Sequence, residues 1–167
     1  MKYILSEDVQ LIQEAQFEHK IQLGLGKQYG IWREGIPYML FEVEVTHHPF
    51  DTVCVFGDYV YIGSNDELII INMDLPDYRI VECDFYFGYF YEYEELLLVA
   101  TGTRLMCFQK DSQLKWQTEP LAIDGVTFIA VNDDGTISVN CCMDPYPAVW
   151  CKKVIALEDG KLCQKMG

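Results

Sequence analysis

The sequence predicts a mainly β domain of antiparallel hairpins with a short helix near its start, and three observations point there. Short apolar runs recur along the chain, the segments between them carry Gly, Asn, Asp or Ser, and Gly24, Gly26, Gly30 and Gly35 rule out a long helix early on. Such a succession favours hairpins over crossover units. The 167 residues suit one domain, 1–167, and with half of them apolar and 14% aromatic, burial can offset the entropy lost on folding.

Taken in order, Ser6 to about Lys20 has a helical pattern. Ser6 can cap, Glu7 and Asp8 suit the positive end of the helix dipole, and Val9, Leu11, Ile12 and Ala15 share a stripe. The glycine-punctuated segment follows, and Pro37 marks the approach to the first clear strand. Strand-like runs then cover 38–45, 52–56, 59–62, 67–72, 79–87, 95–100, 104–109, 113–117, 126–131, 136–141 and 148–157. Between them lie Gly57-Asp58, Ser64-Asn65-Asp66, Thr101-Gly102, Lys110-Asp111-Ser112 and Asp133-Asp134-Gly135, residues that tolerate positive φ or bond their own backbone in tight turns. Phe41-Glu42-Val43-Glu44-Val45 alternates with period two, as a strand with one wet face does.

An internal echo runs through the middle of the chain: 61–71 can be laid over 98–108, with a poorer third copy at 131–139. Strand, polar turn and strand, followed by the Trp-bearing strand Leu114-Lys115-Trp116-Gln117-Thr118, resembles the blades of quinoprotein-type or WD-type propeller repeats. A closed propeller needs at least four blades of roughly forty residues, too many for this chain once its N-terminal segment is set aside. The expected architecture is therefore a partial propeller-like stack or a twisted sandwich.

Charge narrows the partners. Twenty-six Asp and Glu against 12 Lys and Arg give a net charge of -14, a field that repels phosphate backbones and anionic headgroups and speeds association with basic proteins. Neither nucleic acid nor membrane is expected as a partner, and the acidity serves either solubility alone or docking. Met1-Lys2-Tyr3-Ile4-Leu5-Ser6-Glu7-Asp8 carries acids before any apolar run of signal-peptide length, and no later stretch matches a membrane span, so a cytoplasmic protein is expected. Seven cysteines, an odd set, then read as reduced thiols, mostly small core hydrophobes.

No catalytic, metal or cofactor set is expected. His19 reads as a surface residue between Glu18 and Lys20. His47-His48-Pro49-Phe50-Asp51 could hold a metal, but adjacent residues of an extended segment point to opposite faces. Cys141, Cys142 and Cys151 lack paired C-x-x-C spacing and a companion His. Gly24-Leu25-Gly26 is short of a dinucleotide fingerprint, and carboxylates are too abundant for any pair to signal hydrolase chemistry.

The strongest departure from an average domain is 74–95, where rings and carboxylates concentrate. Alternation in Tyr89-Phe90-Tyr91-Glu92-Tyr93-Glu94 predicts Tyr89, Tyr91 and Tyr93 on one face of a strand and Phe90, Glu92 and Glu94 on the other. Tyrosines give contact area at small entropic cost, and neighbouring carboxylates orient Lys or Arg. Tyr86, Tyr89, Tyr91, Glu92, Tyr93, Glu94 and Glu95 are accordingly the candidate partner-binding patch. The plainer alternative is ordinary strand formers with a solvated acidic face.

The C-terminal third adds a likeness. Trp116-Gln117-Thr118, Ile123-Asp124-Gly125-Val126, Asp144-Pro145-Tyr146-Pro147-Ala148-Val149-Trp150 and Leu157-Glu158-Asp159-Gly160-Lys161 follow an order that resembles small bacterial β proteins, some of them similar to immunity partners of secreted or contact-dependent toxins. The pattern departs at Cys141-Cys142-Met143, where a Gly-containing approach is usual. The resemblance implies a small, acidic, cytoplasmic, non-catalytic protein that blocks a basic toxin domain, such as a nuclease, at its cleft or an adjacent exosite. The alternatives are a propeller-like interaction scaffold without a toxin partner and a small metal-dependent hydrolase using His47 or His48.

Overall fold

The computed structural model describes residues 2–44 and 52–163, which form a stack of four small β-sheets. The first sheet holds β1 (Tyr3–Ser6), β2 (His19–Gln22), β3 (Gly26–Arg33) and β4 (Ile36–Glu44) in the order β1-β3-β4-β2, with α1 (Val9–Glu14) between β1 and β2. The second is a meander of β5 (Thr52–Phe56), β6 (Tyr59–Ser64), β7 (Glu67–Asn72) and β8 (Asp77–Glu82). The third repeats it with β9 (Phe87–Tyr93), β10 (Leu96–Thr101), β11 (Leu105–Gln109) and β12 (Leu114–Gln117). The fourth has β13 (Val126–Val131), β14 (Thr136–Pro145) and β15 (Ala148–Ala156). Neighbouring strands are antiparallel except β2, which runs parallel to β4.

Strand parity explains the stack. Val60, Ile62, Ile69 and Ile71 of the second sheet face the first, packing with Tyr29, Ile31, Met39 and Phe41. Their neighbours Tyr61, Leu68 and Ile70 face the third sheet instead, against Phe87, Leu97, Val99, Met106 and Phe108. The third sheet repeats the division, with Leu98, Ala100, Leu105 and Cys107 turned to Val126, Ile137, Val139 and Cys141 of the fourth. A sheet covered on both sides must be apolar at successive positions, and this is why Leu68-Ile69-Ile70-Ile71 and Leu105-Met106-Cys107-Phe108 are unbroken apolar runs. The first and fourth sheets do not close against each other, so the mainly β, blade-like stack is open.

The N-terminal segment departs from expectation, because it is a sheet in its own right. Strands β2 and β3 lie where the sequence suggests the end of a helix reaching about Lys20 and a glycine-punctuated stretch, and β1 precedes them. The helix is six residues long and is capped by Asp8, whose Oδ1 accepts the Leu11 N–H at 3.0 Å, while Ser6 Oγ accepts the Asp8 N–H. A helix this short has little intrinsic stability, and residues 19–22 gain more by pairing with β4 and turning Ile21 to the core. Buried Ile12 and the Phe17–Trp32 edge contact, at 5.2 Å between ring centres, accompany the helix on β3's outer side.

One further boundary moved. The run 79–87 is split between β8 and β9, with Phe85 in the bend at φ 67°. The echo is structural: 61–71 and 98–108 fall on the hairpins β6–β7 and β10–β11, equivalent strands of successive sheets. The third copy, 131–139, falls instead on β13–β14, the first hairpin of its sheet. Among the described residues no helix is long and apolar enough to cross a membrane.

Candidate functional site

Antiparallel order sorts the turns to two ends of the stack. The turns β5–β6, β7–β8, β9–β10, β11–β12 and β13–β14 share one end, tied for example by the Met73 N–H to the Asp58 carbonyl. The turns β6–β7, β8–β9, β10–β11, β12–β13 and β14–β15 share the other, where the Cys83 N–H reaches the Asp66 carbonyl. Strand β9 runs between the two ends, roughly 20 Å for its seven residues. The stretch 86–95 is therefore contiguous in sequence and divided in space.

Each member of the patch has a definite place. Glu94 and Glu95 sit in the β9–β10 turn at the first end, where Glu95 Oε1 pairs with Lys110 Nζ at 2.7 Å. Glu92 points toward the second sheet and accepts a hydrogen bond from Cys54 Sγ at 3.3 Å, beside the strand position of Phe90, which packs with Tyr61 and Phe87. Tyr91 points the opposite way and is half-buried against Phe128 of the fourth sheet, 4.4 Å between ring centres. Tyr93 is half-buried at the strand's end. The period-two alternation is thus present, but one tyrosine face meets the fourth sheet, because β9 is the edge strand that neighbours β13.

Tyr86 and Tyr89 lie at the second end, and there the chain builds a cleft of about 350 Å³ from distant segments, with Asp124, Gly125, Thr127 and Trp150. The Gly102 N–H bonds the Tyr86 carbonyl, the Gly125 N–H bonds the Gly102 carbonyl, and the Cys142 N–H bonds the Gly125 carbonyl. This ladder fixes the frame of the cleft without relying on side chains. Gly125 adopts φ 123°, and a Cβ there would stand 3.3 Å from Tyr86 Oη and 3.4 Å from the Trp150 ring. Glycine thereby leaves the two rings their space.

Tyr86 Oη donates to Asp124 Oδ1 at 3.2 Å. Burial, then the Asp124 charge, pushes the phenol up to about 12, so it stays protonated and can keep donating. At this end of the stack four rings are exposed, Trp150 49% and Tyr89 40% in the cleft lining, and Phe85 76% and Tyr146 88% in the β8–β9 and β14–β15 turns. Phe85 holds its exposed ring from a backbone at φ 67°, a costly conformation for a bulky residue. Asp84, beside it, takes Thr103 Oγ1 at 3.1 Å and the Arg104 guanidinium. Asp124 and Asp144 are exposed, with Asp144 Oδ1 accepting the Tyr146 N–H.

Sequence reasoning missed Trp150 and Asp124 as members of one cleft with Tyr86. Their only early signal was the Pro-rich turn with Trp and the Asp-Gly-Val strand, read there as a family likeness.

Other candidates place as follows. His47, His48 and Asp51 lie outside the described residues. Among the described residues no group of three or more His, Cys, Asp or Glu is disposed to hold a metal. His19 stands on β2, edge-on to Tyr38 at 5.1 Å. The cysteines are free thiols, with Cys83, Cys107, Cys141 and Cys142 buried. Burial raises Cys54 and Cys83 to about 12 and Cys107 and Cys141 to about 11, from an ordinary 9.0. These thiols are protonated at neutral pH and poor nucleophiles. Because the folded state holds those protons where the unfolded chain releases them, their contribution is intact below pH 9 and shrinks as pH climbs toward 11 and 12. The urea midpoint is expected to fall steadily across pH 9 to 11, and a flat midpoint would show that the thiols are not differentially protected.

No known family's sequence profile matches the chain, and no curated protein matches it. Solved structures give distant likenesses. The computationally designed Ika4 protein is 11% identical with a TM-score of 0.49, covering 72% of this chain and 75% of that one. KlHsv2 with loop 6CD replaced by a Gly-Ser linker is 10% identical at 0.47, covering 81% and 44%. The N-terminal domain of Nup159 is 10% identical at 0.46, covering 99% and 49%, so this chain spans about half the length of the latter two. The fold assignment rests on the sheets of this chain itself.

Proposed function

We propose that the chain is a non-catalytic binding protein that captures a basic protein partner, and that it acts as an immunity protein by neutralising a toxin domain such as a cationic nuclease. The observation that carries the reading is the exposure of four rings, Phe85, Tyr89, Tyr146 and Trp150, at the same end of the stack as the exposed Asp124 and Asp144. Aromatic side chains of this kind dominate binding energy once desolvated, while carboxylates at the rim steer and align a cationic partner. The net charge of -14 adds a long-range pull that no phosphate-bearing ligand would feel. Within the patch read from sequence, Tyr86 and Tyr89 belong to this contact surface. Glu94 and Glu95, at the far end, contribute field rather than contact.

The test is co-expression with candidate basic toxin domains in bacteria, scored by survival and by complex lifetime. Phe85→Ala with Tyr146→Ala is expected to shorten the complex lifetime at least thirty-fold, the loss of about 2 kcal/mol typical of a hot spot. Glu94→Lys with Glu95→Lys is expected to slow association mainly at low salt. Undiminished protection by the double alanine variant would remove this end of the stack as the docking surface.

A further inference from the structure

The cleft between the third and fourth sheets is more specific than its acidic surroundings. Two tyrosines and a tryptophan line it, an aspartate sits at the wall, and backbone hydrogen bonds hold its frame. Its volume of about 350 Å³ is at the low end of the roughly 300 to 1,000 Å³ that accommodates drug-sized ligands, so one side chain is a better match than a cofactor. Ring faces attract cations through their quadrupole, and Asp124 supplies a full negative charge in the same space.

We infer that this cleft receives a single arginine side chain of the partner, its guanidinium stacked on Trp150 and charge-paired with Asp124. Arginine suits the site better than lysine for three reasons. Its planar group stacks on a ring, its fork of donors can address a carboxylate from two nitrogens, and it is more weakly hydrated than an ammonium. Tyr86 fits the same picture as a positioning residue. Its hydroxyl takes one side of Asp124 Oδ1, which orients the carboxylate and leaves Oδ2 for an incoming donor. A nucleobase, the other flat group that stacks on rings, would bring its phosphate into a field set by -14 charges. The same chain already stacks cations on tyrosines in its first sheet, where the Arg33 guanidinium lies 4.0 Å from the Tyr38 ring centre.

This inference rests on the reading of a basic protein partner, and the test separates the two. The intact protein is titrated with N-acetyl-arginine amide and, separately, with the neutral near-isostere N-acetyl-citrulline amide. Binding is followed by NMR at the Gly125 amide and the Trp150 indole N–H. Saturable shifts with a dissociation constant in the millimolar range are expected for arginine, at least tenfold weaker for citrulline. Asp124→Asn, at an exposed position, and Trp150→Leu, read at Gly125, are each expected to weaken arginine tenfold with unchanged thermal unfolding. Equal binding of citrulline, no effect of Asp124→Asn, or tighter binding of tetramethylammonium than of arginine would overturn the assignment. If arginine fails to bind while the protein still holds a basic partner in a salt-dependent complex, the cleft is wrong and the partner reading stands. If arginine binds as described and no basic protein is captured, the reverse holds.

Discussion

Replacing Phe87 with alanine is expected to cost about 3–5 kcal/mol, the range for a buried aromatic whose surroundings relax only in part. Phe87 is fully buried at the first position of β9, where the second and third sheets meet, and its ring lies against the tilted ring of Phe90 with 4.6 Å between centres. The opposite wall is the backbone of Gly63, so close that a Cβ at residue 63 would stand 2.3 Å from the Phe87 ring. That approach is available only to glycine. Gly63→Ala alone is therefore expected to be destabilising by overpacking, about 1–3 kcal/mol, since the ring is walled in and cannot swing aside. In the Phe87→Leu background the added methyl has room, and much of that penalty is expected to vanish. Urea denaturation of the two single variants and the double variant measures the coupling directly. Additive effects would mean that the second and third sheets do not meet through this pair.

How much of this was legible in the sequence depended on how many faces of a strand are covered. Leu68-Ile69-Ile70-Ile71 and Leu105-Met106-Cys107-Phe108 announced themselves because strands buried on both sides have no polar positions, and the turns between them carried Asn, Asp or Gly. Strand β3, Gly26-Lys27-Gln28-Tyr29-Gly30-Ile31-Trp32-Arg33, hid its nature for the opposite reason. Its outer positions are Gln28 and Gly30, and Gly30 is required there because a Cβ would meet the Trp32 ring at 2.5 Å. Propensity alone sees two glycines and a break. The missed sheet is what brought the count to four in a chain that had seemed too short for it.

The candidate site was legible by composition and not by geometry. Clustering of Tyr and Glu between 86 and 95 marked the segment, and Tyr86 and Tyr89 do line the cleft. An extended strand, however, carries sequence neighbours apart at about 3.3 Å per residue, so Glu94 and Glu95 end far from the rings that precede them. The partners that replace them, Asp124 and Trp150, arrive through the Gly102–Gly125–Cys142 ladder, a pairing with no local signal.

The fourth sheet gives the second large effect. It has three strands and lies at the end of the open stack, so among the described residues it packs on a neighbouring sheet through one face, and Trp116 is the side chain that reaches across from the outer strand of the third sheet. Its ring joins the shared core with Val126, Ile137 and Ile155, and its indole N–H donates to the Leu157 carbonyl at 2.9 Å, just past the end of β15. Trp116→Ala removes both contributions and is expected to cost about 3–5 kcal/mol. Trp116→Phe keeps most of the ring and loses the donor, leaving the Leu157 carbonyl short of a partner, and is expected to cost about 1–3 kcal/mol. The difference between the two variants isolates packing from hydrogen bonding. Because the anchor holds an end layer, amide exchange in the alanine variant is expected to rise first in β12 and β15, while β6 and β7, covered on both faces, keep their protection. Uniform loss of protection through all four sheets would show instead that the stack unfolds as one cooperative unit, with no separately fraying end.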